Sequence, residues 1–98
     1  MRIGKIIGRL TLCRWHPLLA GGVYRLAVPQ SMANLMHESA AEAEEIVIYD
    51  ELAAADGSLI AITEGPEAAQ PFHPDTKPID AYNAAILDRL HLAKSTNM

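Results

Sequence analysis

Residues 2–13 alternate with a period of two. Gly4, Ile6, Gly8, Leu10 and Leu12 share one parity; Ile3, Lys5, Ile7, Arg9 and Thr11 share the other. That pattern specifies an extended strand with a small, apolar inner face and a mixed outer face. Two glycines four residues apart on the apolar side narrow the choice further. Glycine weakens an ordinary strand, so its use here points to a strand that bends hard or lies against another backbone. Barrels need such bends. Gly4 and Gly8 are therefore expected where side chains are not tolerated.

The rest of the chain repeats the theme of short strands between turn signals. His16-Pro17 and Gly21-Gly22 bracket a turn, and residues 23–28 form a second strand that Pro29 stops. Residues 30–44 are polar and rich in Ala and Glu, a long loop with one or two helical turns and a possible capping box from Ser39 to Glu42. Residues 45–49 are a third strand, short and β-branched. Asp56-Gly57 turns the chain into a fourth strand at 58–64, closed by Gly65-Pro66. Four prolines mark 66–78 as an irregular surface segment. From Ile79 onward two readings compete. Ile79, Asn83, Ile86, Leu87 and Leu90 fit a helical stripe, while Ala84, Ile86, Leu90 and Leu92 share a strand parity. Local propensity alone favours the helix.

The chain has 98 residues, enough for one domain, here 1–92 with a short polar tail at 93–98. Half of those residues are hydrophobic and only 20% are charged. A core this small does not need so much apolar surface, and the excess points to cover by partner subunits. The formal net charge of −4 and the scattered Lys and Arg argue against nucleic acid. Five aromatics, not interleaved with positive charge, make no base-stacking platform. No stretch reaches the ~20 apolar residues of a membrane span, and nothing has the apolar length of a signal peptide. One cysteine, Cys13, excludes an intramolecular disulfide and suits the cytoplasm.

No constellation nominates a catalyst. Cys13 and His16 have the spacing of half a zinc site, but no second half exists, so no metal or cofactor is expected. There is no nucleophile elbow and no phosphate loop. Asp50, Glu51 and Glu64 sit at strand ends, where carboxylates more often serve turns and caps than acid–base chemistry. Trp15, lone and beside a turn, reads as a core or interface anchor.

Four segments in order resemble the EutN/CcmL family of microcompartment vertex proteins. They are Met1-Arg2-Ile3-Gly4-Lys5-Ile6-Ile7-Gly8, with paired glycines; His16-Pro17-Leu18-Leu19-Ala20-Gly21, a turn; the block from Val47 to Gly65 that includes Asp50 and Gly57; and Pro78-Ile79-Asp80-Ala81. The resemblance implies an all-β fold, a five-stranded OB-like barrel with one or two short helical turns. Gly4, Gly8, Pro17, Gly21, Asp50, Gly57, Gly65, Pro78 and Asp80 are the assembly or fold motif it marks. It implies a homopentamer at shell vertices, with hexameric and trimeric shell proteins as partners, and no enzyme activity. It also resolves the C-terminal ambiguity into a helical turn at 78–82 followed by a strand at 85–90, with Ile86 pointing into the barrel. One departure stands out: where the family tends to Gly-Ala-Gly, this chain has Ala53-Ala54-Ala55. The competing class is a stand-alone OB-type module for single-stranded nucleic acid or oligosaccharide; acidic charge and few aromatics count against it.

Overall fold

A computed structural model describes residues 1–37, 43–74 and 77–93. Five strands close into a barrel: β1 (Arg2–Leu10), β2 (Tyr24–Pro29), β3 (Ile46–Tyr49), β4 (Leu59–Glu64) and β5 (Ala81–Ile86), in the order β1-β2-β3-β5-β4. Four seams are antiparallel. The fifth, β3 to β5, is parallel and rests on one residue pair, Tyr49 with Tyr82. The first four strands lie within a residue or so of their expected places at each end, apart from β1, which stops at Leu10 rather than residue 13.

The connections form for local reasons. Pro17 opens a 3-10 helix (Pro17–Leu19), where its missing N–H costs nothing, and His16 Nδ1 accepts from Leu18 N at 3.1 Å. The helix α1 (Met32–His37) is capped by Ser31. Its Oγ accepts from Asn34 N at 3.1 Å while Asn34 Oδ1 accepts from Ser31 N at 2.9 Å, a reciprocal box. The capping pair expected at Ser39 and Glu42 lies outside the described residues.

The barrel is filled by few and mostly small side chains: Ile6, Ala27, Ile48, Ala54, Ile60, Ile62 and Ala81. Four isoleucines supply the volume, each worth roughly 1.5–3 kcal/mol of burial. Gly4 is part of this packing. A Cβ built on it would overlap Ile62 Cδ1 and meet Ile62 Cγ1 at 3.4 Å, so the fully buried Ile62 occupies the space a side chain would need.

Gly8 is different, and the expectation for it is corrected. β1 pairs Ile6 with Ala27 and then Gly8 with Leu26, so two β1 residues oppose one on β2. This bulge at Ile7 shifts the alternation by one. Gly4 and Ile6 face the core, whereas Gly8 and Leu10 fall on the outer side with Leu26 and Tyr24. A Cβ on Gly8 would find only Leu26 Cδ1, at an ordinary 3.9 Å. A period-two pattern reads straight through a bulge, which is why the sequence placed both glycines inward.

Two further expectations are corrected. The segment after β4 is largely a 3-10 helix (Gly65–Phe72) rather than irregular. Gly65 makes the sharp exit with φ +68°, Pro66 fits the first turn, and Ala68 is fully buried against the barrel. There is also no helical turn at 78–82. Ala81 and Tyr82 are already in β5, which ends at Ile86 instead of running to 90. Pairing with all of β4 outweighs the alanine-rich helix propensity. A second bulge, between Ala61 and Ile62, sets Ile86 opposite Ile60. Ile86 thus takes the inward register, but at the barrel's end, where 43% of it stays exposed.

Candidate functional site

Three features stand out: a buried polar cluster at one mouth of the barrel, an aromatic cluster outside it, and an exposed apolar flank.

The polar cluster centres on Asp50, the residue just after β3, only 2% exposed. Its Oδ1 accepts from Leu52 N (3.0 Å) and Asn83 Nδ2 (2.9 Å), and its Oδ2 accepts from Ala54 N (2.9 Å). Arg25 Nε lies 3.5 Å from Oδ2, an ion pair too poorly aligned to count as a hydrogen bond. Asp50 therefore shapes the loop at 51–55 and ties it to β5 across the weak β3–β5 seam. That loop carries Ala53 at φ +58°, a left-handed conformation in which glycine is favoured. Of the three alanines at 53–55, this one is strained; Ala54 is simply buried in the core.

Outside the barrel, Tyr24, Tyr49, Phe72 and Tyr82 pack together. Tyr49 meets Tyr24 and Phe72 edge-on, both at 5.3 Å, and stacks on Tyr82 at 6.4 Å. Lys77 Nζ sits over the Phe72 ring at 4.8 Å and the Tyr49 ring at 5.3 Å, and donates to Leu18 O at 2.5 Å. The cluster is a satellite core that pins both 3-10 helices to the wall. Burial, and then a 2.7 Å hydrogen bond to Glu51, push the Tyr82 hydroxyl up to about 12. Gly22 passes under this cluster so closely that a Cβ would lie 2.5 Å from Tyr49 Cε2.

The outer flank is apolar. Leu12, Leu19 and Tyr24 are shared by two adjacent hollows of about 180 Å³ each, one rimmed by Trp15 and the other by Val47, Pro78 and Ile79. Trp15 is 52% exposed, so it is not a core residue.

The nine motif residues divide accordingly. Gly4 serves core packing; Gly21 (φ +79°), Gly57 (φ +88°) and Gly65 hold turns. Pro17 starts its 3-10 helix, and Asp50 organises the polar cluster. Asp80 accepts from Gly65 N at 2.9 Å through its backbone carbonyl, and Pro78 and Asp80 line a hollow. Gly8 lies across the wall from the core. Asn83, Gly22, Arg25 and the aromatic set were missed. A lone Asn in the run Ala-Tyr-Asn-Ala-Ala-Ile was a usable signal, since strands disfavour it. Among the described residues no three His, Cys, Asp or Glu side chains gather as a metal site, and no helix is long and apolar enough to cross a membrane.

The profile of the family described as ethanolamine utilisation protein EutN/carboxysome (EutN_CcmL) matches residues 1–88. The chain belongs to the EutN/CcmL family. Solved structures agree on the fold. GrpN from Rhodospirillum rubrum, a pentameric microcompartment shell protein, is 20% identical with a TM-score of 0.78, covering 95% of this chain and 100% of its own. CcmL from Gloeobacter violaceus is 21% identical with a TM-score of 0.81, covering 94% and 90%. CcmL from Nostoc sp. PCC 7120 is 25% identical with a TM-score of 0.79, covering 94% and 92%. No curated protein sequence matches significantly. As an EutN/CcmL protein, the chain has a closed five-strand wall and carries three alanines, Ala53 to Ala55, in the loop after β3.

Proposed function

We propose that this EutN/CcmL protein forms a homopentamer that fills the vertices of a bacterial microcompartment shell in the cytoplasm, and that it acts by shape, not catalysis. The observation that carries this reading is the family match over residues 1–88 on a closed barrel whose outer flank is apolar. The unit is the single domain 1–92, and its partners are the hexameric and trimeric shell proteins of the facets. Hexamers tile a flat sheet; closing a sheet requires pentagons. Each subunit would bury part of its flank, Trp15 included, against its neighbour through a heterologous contact that closes as a ring. Apolar burial contributes roughly 25 cal/mol per Å² before the costs of association.

Native mass spectrometry at micromolar concentration tests this. The expected mass is five times 10.6 kDa. Trp15→Ala should shift the population toward smaller species without changing the β-sheet spectrum, because an exposed aromatic anchor contributes to assembly and not to the fold. A stable wild-type monomer or dimer would overturn the proposal.

A further inference from the structure

The bulge at Ile7 has a second effect: it turns Arg9 to the side of the wall that Arg25 occupies, and the two residues are directly paired across β1 and β2. Like charges placed opposite each other on one face destabilise a sheet unless something lies between them. Arg25 is also largely out of water, with a side chain 15% exposed and a buried Nε that makes no hydrogen bond. Burying a guanidinium N–H without a hydrogen bond is unfavourable.

The nearby carboxylates do not meet that demand. Asp50 already accepts from Leu52 N, Ala54 N and Asn83 Nδ2, and it meets Arg25 Nε only as a 3.5 Å ion pair without a hydrogen bond. Glu51 accepts from the Tyr82 hydroxyl. The Arg9 side chain has no hydrogen-bond or ion-pair partner among the described residues. Between them lies an open hollow of about 420 Å³, lined by Arg9, Arg25, Asp50 and Glu51, with Gly21 and Gly22 leaving one wall bare of side chains.

We infer that this barrel mouth is an oxyanion site, in which the Arg9 and Arg25 guanidinium groups together hold one carboxylate or phosphate. Guanidinium forks match the planar or tetrahedral oxygens of such groups and form charge-assisted hydrogen bonds with them. Because Asp50 and Glu51 also line the hollow, the site selects a small anion through directed donors and not through net positive charge. The anion has two possible sources, a free small molecule or a carboxylate of a neighbouring subunit.

The test uses the full chain, inorganic phosphate and acetate as probes, and Arg9→Gln as the variant, at constant ionic strength. Arg9 is exposed, so the variant should keep the wild-type circular dichroism. For a free anion, phosphate or acetate raises the melting temperature saturably and shifts the Arg25 Nε–H resonance, and Arg9→Gln weakens the apparent affinity about tenfold. For a subunit carboxylate, Arg9→Gln instead raises the concentration needed for assembly, and added phosphate lowers the assembled mass by competition. No saturable response to either anion, together with wild-type assembly of Arg9→Gln, would overturn the assignment. The pentamer proposal would survive that result, since its own test is the solution mass of the wild-type chain.

Discussion

Gly4→Ala adds one methyl group where the structure leaves no room. The new Cβ would overlap the terminal methyl of Ile62 and touch its Cγ1 at 3.4 Å, with Val28 O at 3.6 Å behind. Ile62 is 0% exposed and packed among Ile6, Ile48 and Ile60, so it cannot swing away freely. Overpacking of this kind costs about 1–3 kcal/mol. For a domain of this size that is roughly 4–8 °C of melting temperature per kcal/mol. The reasoning identifies the offending atom, so a double mutant can test it. Ile62→Val removes the overlapped methyl and by itself costs about 0.5–1.5 kcal/mol. If the clash is the cause, Gly4→Ala/Ile62→Val should be about as stable as Ile62→Val alone, a coupling of about 1 kcal/mol or more. Gly8→Ala, with only Leu26 Cδ1 at 3.9 Å, should stay within about 0.5 kcal/mol of wild type. Urea unfolding of the four variants provides the numbers. Additive costs in the double mutant, or equal costs at positions 4 and 8, would refute the account.

Asp50→Ala leaves two backbone N–H groups and Asn83 Nδ2 without their acceptor, removes the anion beside Arg25, and should destabilise by about 3–5 kcal/mol in the same assay. Ala53→Gly relieves a left-handed alanine but loosens the unfolded chain; the net should be neutral to about 1 kcal/mol stabilising, read as a small rise in melting temperature. Tyr82 titrates at about 12 when folded, above the usual value of about 10, so its contribution is complete below pH 10 and is lost as pH climbs from 10 toward 12. Absorbance titration of wild type and Tyr82→Phe should show one high-pH phenol transition fewer in the variant, and a flatter fall of stability over that window. Glu64 behaves oppositely: its hydrogen bond to Arg2 holds its carboxyl below the usual range, stabilising at neutral pH and fading as pH falls, but the pair is solvent-exposed and its effect should be slight.

Strand order along the chain was legible because alternation, Asp-Gly and Gly-Pro turns are local signals. β4 in particular could be read from Ile60 and Ile62 on one parity between two glycine turns. What local signals cannot carry is phase across an irregularity. The bulge at Ile7 reverses the facing of everything from Gly8 onward, so Leu10 and Leu12, expected in the core, line outer hollows instead. The polar cluster was hidden for a related reason. Asp50 and Asn83 are 33 positions apart and meet only because β3 and β5 become neighbours, a fact of topology. Propensity failed from Ile79 onward, where alanines favoured a helix but pairing with β4 decided the outcome, and the helical turn that the resemblance implied at 78–82 failed with it.

The lone Tyr49–Tyr82 pair makes the β3–β5 seam the place where the barrel breathes. With little backbone pairing to break, strands β3 and β5 can part while β1, β2 and β4 keep their ladders, so opening there requires far less than global unfolding. The seam is held instead by side chains reaching across it: Asp50 to Asn83, Glu51 to Tyr82, ring on ring. These contacts join distant parts of the chain and repay their loop-closure entropy late, so the cylinder is expected to zip shut along this line last during folding. Amide protons flanking the seam would then exchange faster than those of the β1–β2 ladder, although both lie in one closed wall.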